Sequence, residues 1–152
     1  MDQTRENILV SACLLGVNCR YDGGNGRREW VVSLMDRYNL IPVCPEQLGG
    51  LQTPREPAER QETGSVTDKN GRDVTEYFIR GAKETLKIAE LYGCRRAILK
   101  ERSPSCGHGV IYDGTFSGTK VPGNGITAGI LEENGITVTG ESGVKEQFET
   151  ES

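Results

Sequence analysis

Four short apolar runs recur along the chain, and longer segments with helical spacing separate them. The runs cover residues 8–12, 40–43, 97–100 and 136–139. Each run is only a few residues long and is rich in aliphatic or β-branched residues, which is typical of buried strands. Four strands are therefore predicted at wide and fairly regular intervals.

The segments between these runs predict helices. Apolar residues at helical spacing indicate a first helix through Val31, Leu34, Met35 and Tyr38. The longest helix is predicted over residues 73–92, where Asp73 and Glu76 have the spacing of a capping box. Its expected buried stripe consists of Val74, Phe78, Ala82, Leu86 and Ala89. A third helix, with Ile126, Ile130 and Leu131, is expected to end at Asn134 and Gly135.

The order strand–helix–strand, repeated along the chain, predicts an α/β fold. We expect a single domain over residues 1–152, with a four-stranded, mainly parallel sheet and helices on both faces. A small hairpin is expected after the third strand, near residues 112–115. Residues 45–62 are rich in proline and contain two adjacent glycines, so we expect a long ordered loop or lid there. Residues 1–6 and 146–152 are expected to fray.

Composition narrows the class of protein further. The 152 residues carry a formal net charge of −4, which gives no general attraction for nucleic acid or an anionic membrane. No secretory signal and no apolar stretch of about 20 residues is apparent. The five cysteines form no CxxC pair. A cytoplasmic protein with reduced thiols is therefore expected, in which metal binding or catalysis is favoured over a disulfide framework.

Three cysteines stand where apolar runs give way to loops, namely Cys13, Cys44 and Cys106. If the strands are parallel neighbours, their carboxyl ends meet at one edge and the three sulfurs converge there. Soft thiolates select zinc, copper(I) or iron–sulfur clusters. A structural zinc normally has a fourth protein ligand and short paired spacings. Three distant ligands fit better a 4Fe-4S cluster with one open iron. The alternative for each cysteine alone is a small buried hydrophobe.

Three further residues compete for a place in this site. Cys19 lies in the same loop as Cys13 and is a candidate ligand or resolving thiol. Cys94 precedes the third strand, at the opposite end of the sheet, and is interpreted as structural. His108 follows Cys106 by two residues. It is a candidate ligand or proton donor, although a lone histidine in a glycine-rich loop is more often neither.

Polar residues near the cysteines are candidates for the chemistry. Glu46 follows Cys44 by two residues, so an extended segment would send both side chains to the same side. A carboxylate there is suited to moving protons, and the alternative is a surface glutamate at the start of a loop. Ser103 either binds substrate by a hydrogen bond or satisfies a turn. Arg55, in the proline-rich segment, is a candidate partner for an anionic group. The glycine loops match no dinucleotide or Walker motif.

Taken together, these motifs resemble one known family. The segments that carry the resemblance are SACLLGVNCRYDGG, VCPEQLGGLQTPREPAE, GRDVTEYFIRGA, AILKERSPSCGHGVIYDGTFSG and the final GIT. The chain is similar over residues 8–141 to the thiouracil desulfidase family, formerly domain of unknown function 523 (DUF523). Gln52 stands where proline is common in that family. Cys19 stands where other members carry a different residue, which argues against an essential ligand.

The resemblance implies a Rossmann-like domain with an oxygen-sensitive 4Fe-4S cluster on Cys13, Cys44 and Cys106. It also implies Glu46 as the acid–base carboxylate and Ser103 as an active-site serine. It also implies hydrolysis of a thiolated base or nucleoside, with 2-thiouracil giving uracil and sulfide. The open iron would act as Lewis acid and sulfur acceptor. Nucleic-acid and membrane partners are not expected, and a monomer is compatible with the sequence.

Two other functions remain open at this point. One is a sulfur transferase that passes cluster-bound sulfide to an acceptor. The other is a non-catalytic iron–sulfur or zinc-binding module.

Overall fold

A computed structural model describes residues 2–149 of the chain. The strands are β1 (Asn7–Ser11), β2 (Asn39–Val43), β3 (Ala58–Arg60), β4 (Val66–Asp68), β5 (Arg96–Leu99), β6 (Val110–Tyr112), β7 (Lys120–Pro122) and β8 (Thr137–Gly140). The helices are α1 (Glu29–Val32), α2 (Pro45–Leu48), α3 (Thr75–Leu91) and α4 (Ile126–Glu133). Short 3-10 turns cover Ala12–Leu15, Ser33–Asp36 and Glu141–Gly143, and a π-helical turn covers Lys145–Glu149. None of the helices in this part of the chain is long and apolar enough to span a bilayer.

The central sheet has the strand order β2-β1-β5-β8, and all of its strand pairs are parallel. Leu9 of β1 lies opposite Ile41 of β2 and Ala97 of β5. The predicted four-stranded parallel sheet is thus confirmed, and each predicted strand is displaced by only a single residue. The chain runs from β1 out to β2 and then returns to β5 on the other side of β1. The carboxyl ends of β1 and β5 therefore flank the point where such sheets bind ligands.

Both faces of the sheet are covered, as predicted. Successive residues of a strand point to opposite faces, and β1 accordingly contributes to two apolar cores. Ile8 and Val10 belong to a core that also contains Val31, Leu34, Val144 and Phe148. Leu9 belongs to a second core, which also contains Ala89, Ala97, Ala128 and Leu131. This two-sided burial explains why β1 is a continuous apolar run and not an alternating one.

Two glycines bring α2 and α3 into backbone contact. A Cβ atom at Gly49 would lie 1.9 Å from the Tyr77 carbonyl oxygen. A Cβ atom at Gly81 would lie 1.9 Å from the Pro45 carbonyl oxygen. Only glycine fits at these two positions, because the two helices approach more closely than side chains permit. The contact fixes α2 against the longest helix, and with it the residues at the start of α2.

The interpretation of residues 45–62 as a long loop is wrong for part of that segment. It contains α2 at its start and β3 near its end. β3 pairs antiparallel with β4, so that Ala58 lies opposite Asp68 and Arg60 lies opposite Val66. Short polar strands of this kind carry no apolar alternation, which is why the sequence pattern did not predict them.

The first predicted helix also differs from the structure. The segment forms the single turn α1 and a following 3-10 turn. Val31 and Leu34 are buried, but Met35 is 55% exposed. The 3-10 turn changes the angular spacing of the side chains from that of an α-helix. For this reason Met35 leaves the apolar face that a continuous helix would have given it.

The start of the longest helix departs from the predicted capping box. α3 begins at Thr75, and the Asp73 carboxylate accepts hydrogen bonds from both the backbone N–H and the hydroxyl of Thr75. On the buried stripe, Phe78, Ala82 and Ala89 are buried as predicted, whereas Leu86 is only partly buried.

Two smaller predictions were made for the second half of the chain. The hairpin after the third strand of the central sheet is present as β6 and β7, which pair antiparallel around residues 113–119. Near the carboxyl terminus, Phe148 is fully buried and its ring makes an edge contact with Tyr38 at 5.7 Å between centroids. Phe148 is thus packed against the core, whereas the fraying expected for residues 1–6 and 146–152 stays a prediction. Residues 1 and 150–152, for which fraying was also expected, lie outside the described residues.

Candidate active site

One cavity of about 450 Å³ opens at the carboxyl edge of the central sheet. All five residues proposed as site residues line it, namely Cys13, Cys44, Glu46, Ser103 and Cys106. They come from the segments after β1, β2 and β5, which are far apart in the chain. The parallel topology therefore brings these side chains together at the edge where ligands bind.

Each cysteine is placed by a different local structure. Cys13 lies in the 3-10 turn that follows β1, and its carbonyl accepts hydrogen bonds from the N–H groups of Gly16 and Gly26. Cys44 is the N-cap residue of α2 and keeps an extended backbone, while Pro45 occupies the first turn of the helix. This position suits proline, which has no N–H to lose there. The turn of the chain at Cys44 is therefore encoded locally.

The loop that carries Cys106 is fixed by the start of α4. Ile126 donates its backbone N–H to the Pro104 carbonyl at 2.9 Å, and Thr127 donates to the Ser105 carbonyl at 2.9 Å. The Ser105 and Thr127 hydroxyls share a buried hydrogen bond of 2.7 Å. The N–H groups that a helix leaves unpaired at its start thus hold this loop. Cys106 is consequently presented by a rigid segment.

The thiols of Cys44 and Cys106 are strongly biased toward the protonated form. A hydrogen bond with Cys19, together with burial, raises the pKa of Cys44 well above its ordinary value. Burial raises the pKa of Cys106 to about 12. Since metals bind the thiolate form, metal binding at these residues must release protons.

Glu46 and Arg55 form a largely buried ion pair, which the sequence did not predict. The Arg55 Nη2 and Nε groups lie 2.8 and 3.1 Å from the same carboxylate oxygen, Oε2. The two side chains are only 18% and 9% exposed. Arg55 also donates to the Cys19 carbonyl at 3.0 Å and to the Thr53 hydroxyl at 2.9 Å. The guanidinium therefore fixes the orientation of the carboxylate and leaves Oε1 free of it.

Ser103 connects this carboxylate to the Cys106 loop. Its hydroxyl oxygen accepts the backbone N–H groups of Ser105 and Cys106, both at 3.0 Å. The hydroxyl donates to Glu46 Oε1 over a longer distance of 3.4 Å. Two amides thus hold the oxygen in place, and its proton is directed at the carboxylate.

One detail of the sequence interpretation is corrected here. Cys44 and Glu46 face the same cavity, but they do so from a helical turn and not from an extended segment.

Gly107 closes the turn of the loop that carries Cys106. Its backbone N–H donates to the Ser103 carbonyl at 2.8 Å. A Cβ atom at Gly107 would lie 2.6 Å from that same carbonyl oxygen. The glycine is therefore required for the tight turn of the loop.

Cys19 also lines the cavity and is only 3% exposed. A hydrogen bond with the Cys13 thiol, together with burial, raises the pKa of Cys19 to about 11. Its carbonyl accepts a hydrogen bond from the Cys44 thiol at 3.7 Å. Cys19 thus contacts Cys13 through its thiol and Cys44 through its backbone carbonyl.

His108 and Cys94 lie outside this cavity. The His108 Nε2 atom contacts the Glu132 carboxylate of α4. Cys94 is 5% exposed in the core beneath α3, and its pKa is raised to about 11, chiefly by burial. The interpretation of Cys94 as a structural residue agrees with this position.

A second cavity of about 420 Å³ shares Glu46, Arg55 and Ala58 with the first. The ion pair thus forms part of the wall between the two cavities.

Comparison with known proteins places this chain in a family. The family model described as 2-thiouracil desulfurase matches residues 8–143. An uncharacterized protein of Bacillus subtilis, YbbK, is 44% identical over 144 residues, which cover 89% of this chain and 95% of that protein. A solved structure of a [4Fe-4S]-dependent thiouracil desulfidase, TudS (DUF523), is 45% identical with a TM-score of 0.87 and covers 93% of this chain and 95% of its own. The match of the family model over most of the sequence shows that the chain belongs to the 2-thiouracil desulfurase family of enzymes, as its motifs predicted.

Proposed function

We propose that this chain removes sulfur hydrolytically from a thiolated pyrimidine, with 2-thiouracil and water giving uracil and hydrogen sulfide. In this proposal, Cys13, Cys44 and Cys106 hold a 4Fe-4S cluster, Glu46 transfers protons and Ser103 binds the substrate. The observation that carries it is the meeting of three cysteines with Glu46 and Ser103 in a single cavity.

The arrangement of the thiols suits a cluster better than a single metal ion. Zinc requires its sulfur and nitrogen ligands at about 2.0–2.3 Å from one point. Among residues 2–149, no group of three or more histidine, cysteine, aspartate or glutamate side chains could hold one metal ion. A four-iron cluster presents its irons at separate corners, so each of three cysteines around one cavity binds a different iron. Thiolates are also the ligands that iron–sulfur clusters use.

When bound by three cysteines, such a cluster supplies one iron without a protein ligand, which is a Lewis acid and a soft acceptor for sulfur. The remaining chemistry belongs to the protein. The Glu46 carboxylate accepts a proton from the attacking water, so that oxygen adds to the ring carbon that bears sulfur. The same carboxyl group then returns the proton to sulfur, the carbon–sulfur bond breaks to release hydrosulfide, and the proton of the added hydroxyl passes to solvent as the carbonyl forms.

Ser103 is suited to orient the ring. Its oxygen already accepts two backbone N–H groups, and its hydroxyl proton makes only the long bond of 3.4 Å to Glu46. A substrate acceptor that approaches the hydroxyl can take over this proton. Arg55 keeps the carboxylate in place during the exchange, because it holds the other oxygen, Oε2.

A cytoplasmic location is also proposed. All five cysteines are free thiols, and reduced thiols persist in the cytosol. A site that assembles from three thiols requires that state.

Anaerobic reconstitution with iron and sulfide, followed by incubation with 2-thiouracil, tests the proposed reaction. We expect uracil and free sulfide in equal amounts without an added thiol acceptor. Sulfide that appears only on a thiolated acceptor would instead identify a sulfur transferase. Bound zinc without acid-labile sulfide would identify a binding module.

A further inference from the structure

The loop between β6 and β7 places an aromatic side chain at the active-site cavity. Phe116 is among the residues that line this cavity, together with Tyr112 and Tyr21. Phe116 is partly buried, yet it belongs to none of the three apolar cores among the described residues. Its burial therefore comes from the loop and the cavity wall, and not from the packing that stabilises the fold.

The backbone of Phe116 has an unusual conformation. Its φ angle is 58°, in the left-handed region. A bulky residue is rare there, because its Cβ atom approaches the following carbonyl oxygen. Glycine adopts this conformation without that cost. An aromatic residue held in such a backbone is an observation that points to a function of the side chain.

A buried carboxylate holds the loop in this conformation. Glu59 of β3 is 9% exposed. One of its oxygens, Oε1, accepts the backbone N–H of Gly114 at 3.0 Å and that of Phe116 at 3.1 Å. Gln61 donates its side-chain amide to the Gly114 carbonyl at 3.1 Å. These three hydrogen bonds tie the loop to β3 and the residue after it, and they fix the position of Phe116 at the cavity.

We propose that Phe116 is a specificity-determining residue, whose ring stacks on the unsaturated heterocycle of the substrate, and that Glu59 is its positioning residue. The inference rests on the proposed function, because it assigns the ring that enters this cavity. Planar unsaturated rings gain from an offset stack on an aromatic face. Saturation of the 5,6 double bond removes the flat π surface but leaves both ring carbonyls and both N–H groups.

The stacking role of Phe116 can be tested by calorimetry, which measures the binding of uracil and of 5,6-dihydrouracil to the anaerobically reconstituted protein. Uracil is the product of the proposed reaction, so its binding can be measured without turnover. We expect wild type to bind uracil more tightly than 5,6-dihydrouracil. Phe116→Gly should weaken uracil binding roughly 5- to 100-fold, the range found when a base loses its aromatic partner. The same variant should bind the two ligands alike.

The chain offers two controls. Phe116→Tyr keeps the aromatic face and should preserve the preference for uracil. Phe116→Gly relieves the left-handed backbone and should therefore leave the thermal midpoint unchanged or higher, although it weakens binding. A residue with a purely structural role would lower the thermal midpoint when it is removed and would not change the preference for the unsaturated ring.

Glu59→Ala tests the positioning role. It should weaken uracil binding in wild type but add little in the Phe116→Gly background, because both changes act on one contact. Equal binding of uracil by wild type and Phe116→Gly, or no binding by wild type, would overturn the inference. These outcomes are separate from a failure of the proposed function, which would appear as wild-type protein that binds uracil but releases no sulfide from 2-thiouracil.

Discussion

Cysteines lie at both ends of the central sheet, but only those at the carboxyl end line a cavity. At the carboxyl end, Cys13, Cys44 and Cys106 line an open cavity beside an ion pair. At the amino end, Cys94 is 5% exposed in an apolar core. Its backbone N–H closes the turn between α3 and β5 by donating to the Ala89 carbonyl at 2.8 Å. Cysteine is thus a candidate metal ligand at the carboxyl end, where the loops leave a cavity, and a packing residue at the amino end, where a tight turn joins helix and strand.

Single cysteine replacements should distinguish the roles of the two ends most clearly. Cys44→Ser should abolish cluster binding, because serine oxygen is a poor substitute for a soft thiolate. Cys94→Ser should keep a full cluster. Iron and acid-labile sulfide per chain measure the difference after anaerobic reconstitution. Full iron content in Cys44→Ser would break the proposed distinction between the ends.

Within the carboxyl end, Glu46→Ala should keep the cluster and lose turnover by roughly 10²- to 10⁴-fold, the usual contribution of a positioned acid–base group. Glu56→Ala is the matched control, because Glu56 is an exposed carboxylate in the same segment. The rate of sulfide release from 2-thiouracil is the measurement. Undiminished turnover in Glu46→Ala would refute the proton-transfer role.

Arg55→Lys should have a smaller effect, roughly 10- to 100-fold on kcat, as for other residues that orient a catalytic group. Lysine keeps the positive charge but lacks the planar fork that holds one carboxylate oxygen with two N–H groups. Arg27→Lys is the control, since that arginine pairs with Glu29 at an exposed site. If Arg55→Lys and Arg27→Lys behave alike, the ion pair does not position Glu46.

Cys94, at the amino end of the sheet, should affect how the stability of the protein depends on pH. Burial raises the pKa of Cys94 from 9.0 to about 11. The unfolded chain therefore loses this proton first, so the stabilisation is complete below pH 9 and is lost as pH rises through 11. Each pKa unit corresponds to about 1.4 kcal/mol. Urea unfolding of wild type and Cys94→Ala should show a steeper fall above pH 9 in wild type; parallel curves would contradict this.

Cys19→Ser should have the smallest effect. Cys19 lies within the cavity, but its thiol and carbonyl support Cys13 and Cys44. Serine retains the carbonyl and a hydroxyl that can form hydrogen bonds. We expect the variant to keep its iron and most of its turnover. Loss of one iron per cluster would instead make Cys19 a ligand.

The sequence predicted the features that depend on burial and on chain order. The run around Ile8, Leu9 and Val10 predicted β1, because a strand buried on both faces must be apolar throughout. The cysteines could be placed at one edge because parallel strands end together. These two facts were enough to predict the sheet and the meeting of the three cysteines at one edge of it.

The missed features depend on contacts between segments that show no pattern of their own. Arg55 follows Glu46 by nine residues in a segment without periodicity, so the ion pair could not be predicted. The close approach of Gly49 to α3 leaves no mark except the glycine itself. Glu59 lies in a three-residue polar strand, and its hydrogen bonds join it to a loop that begins over fifty residues later. Each of these contacts depends on a single side chain, or on the lack of one, and therefore leaves no repeating pattern in the sequence.

The most direct test is a crystal structure of the anaerobically reconstituted protein, with an anomalous difference map recorded at the iron edge. We expect one four-iron site in the cavity, bound by the Sγ atoms of Cys13, Cys44 and Cys106, with the fourth iron free of any side chain and facing Glu46 and Ser103. Iron bound elsewhere, or a fourth iron ligated by Cys19 or Glu46, would contradict the account.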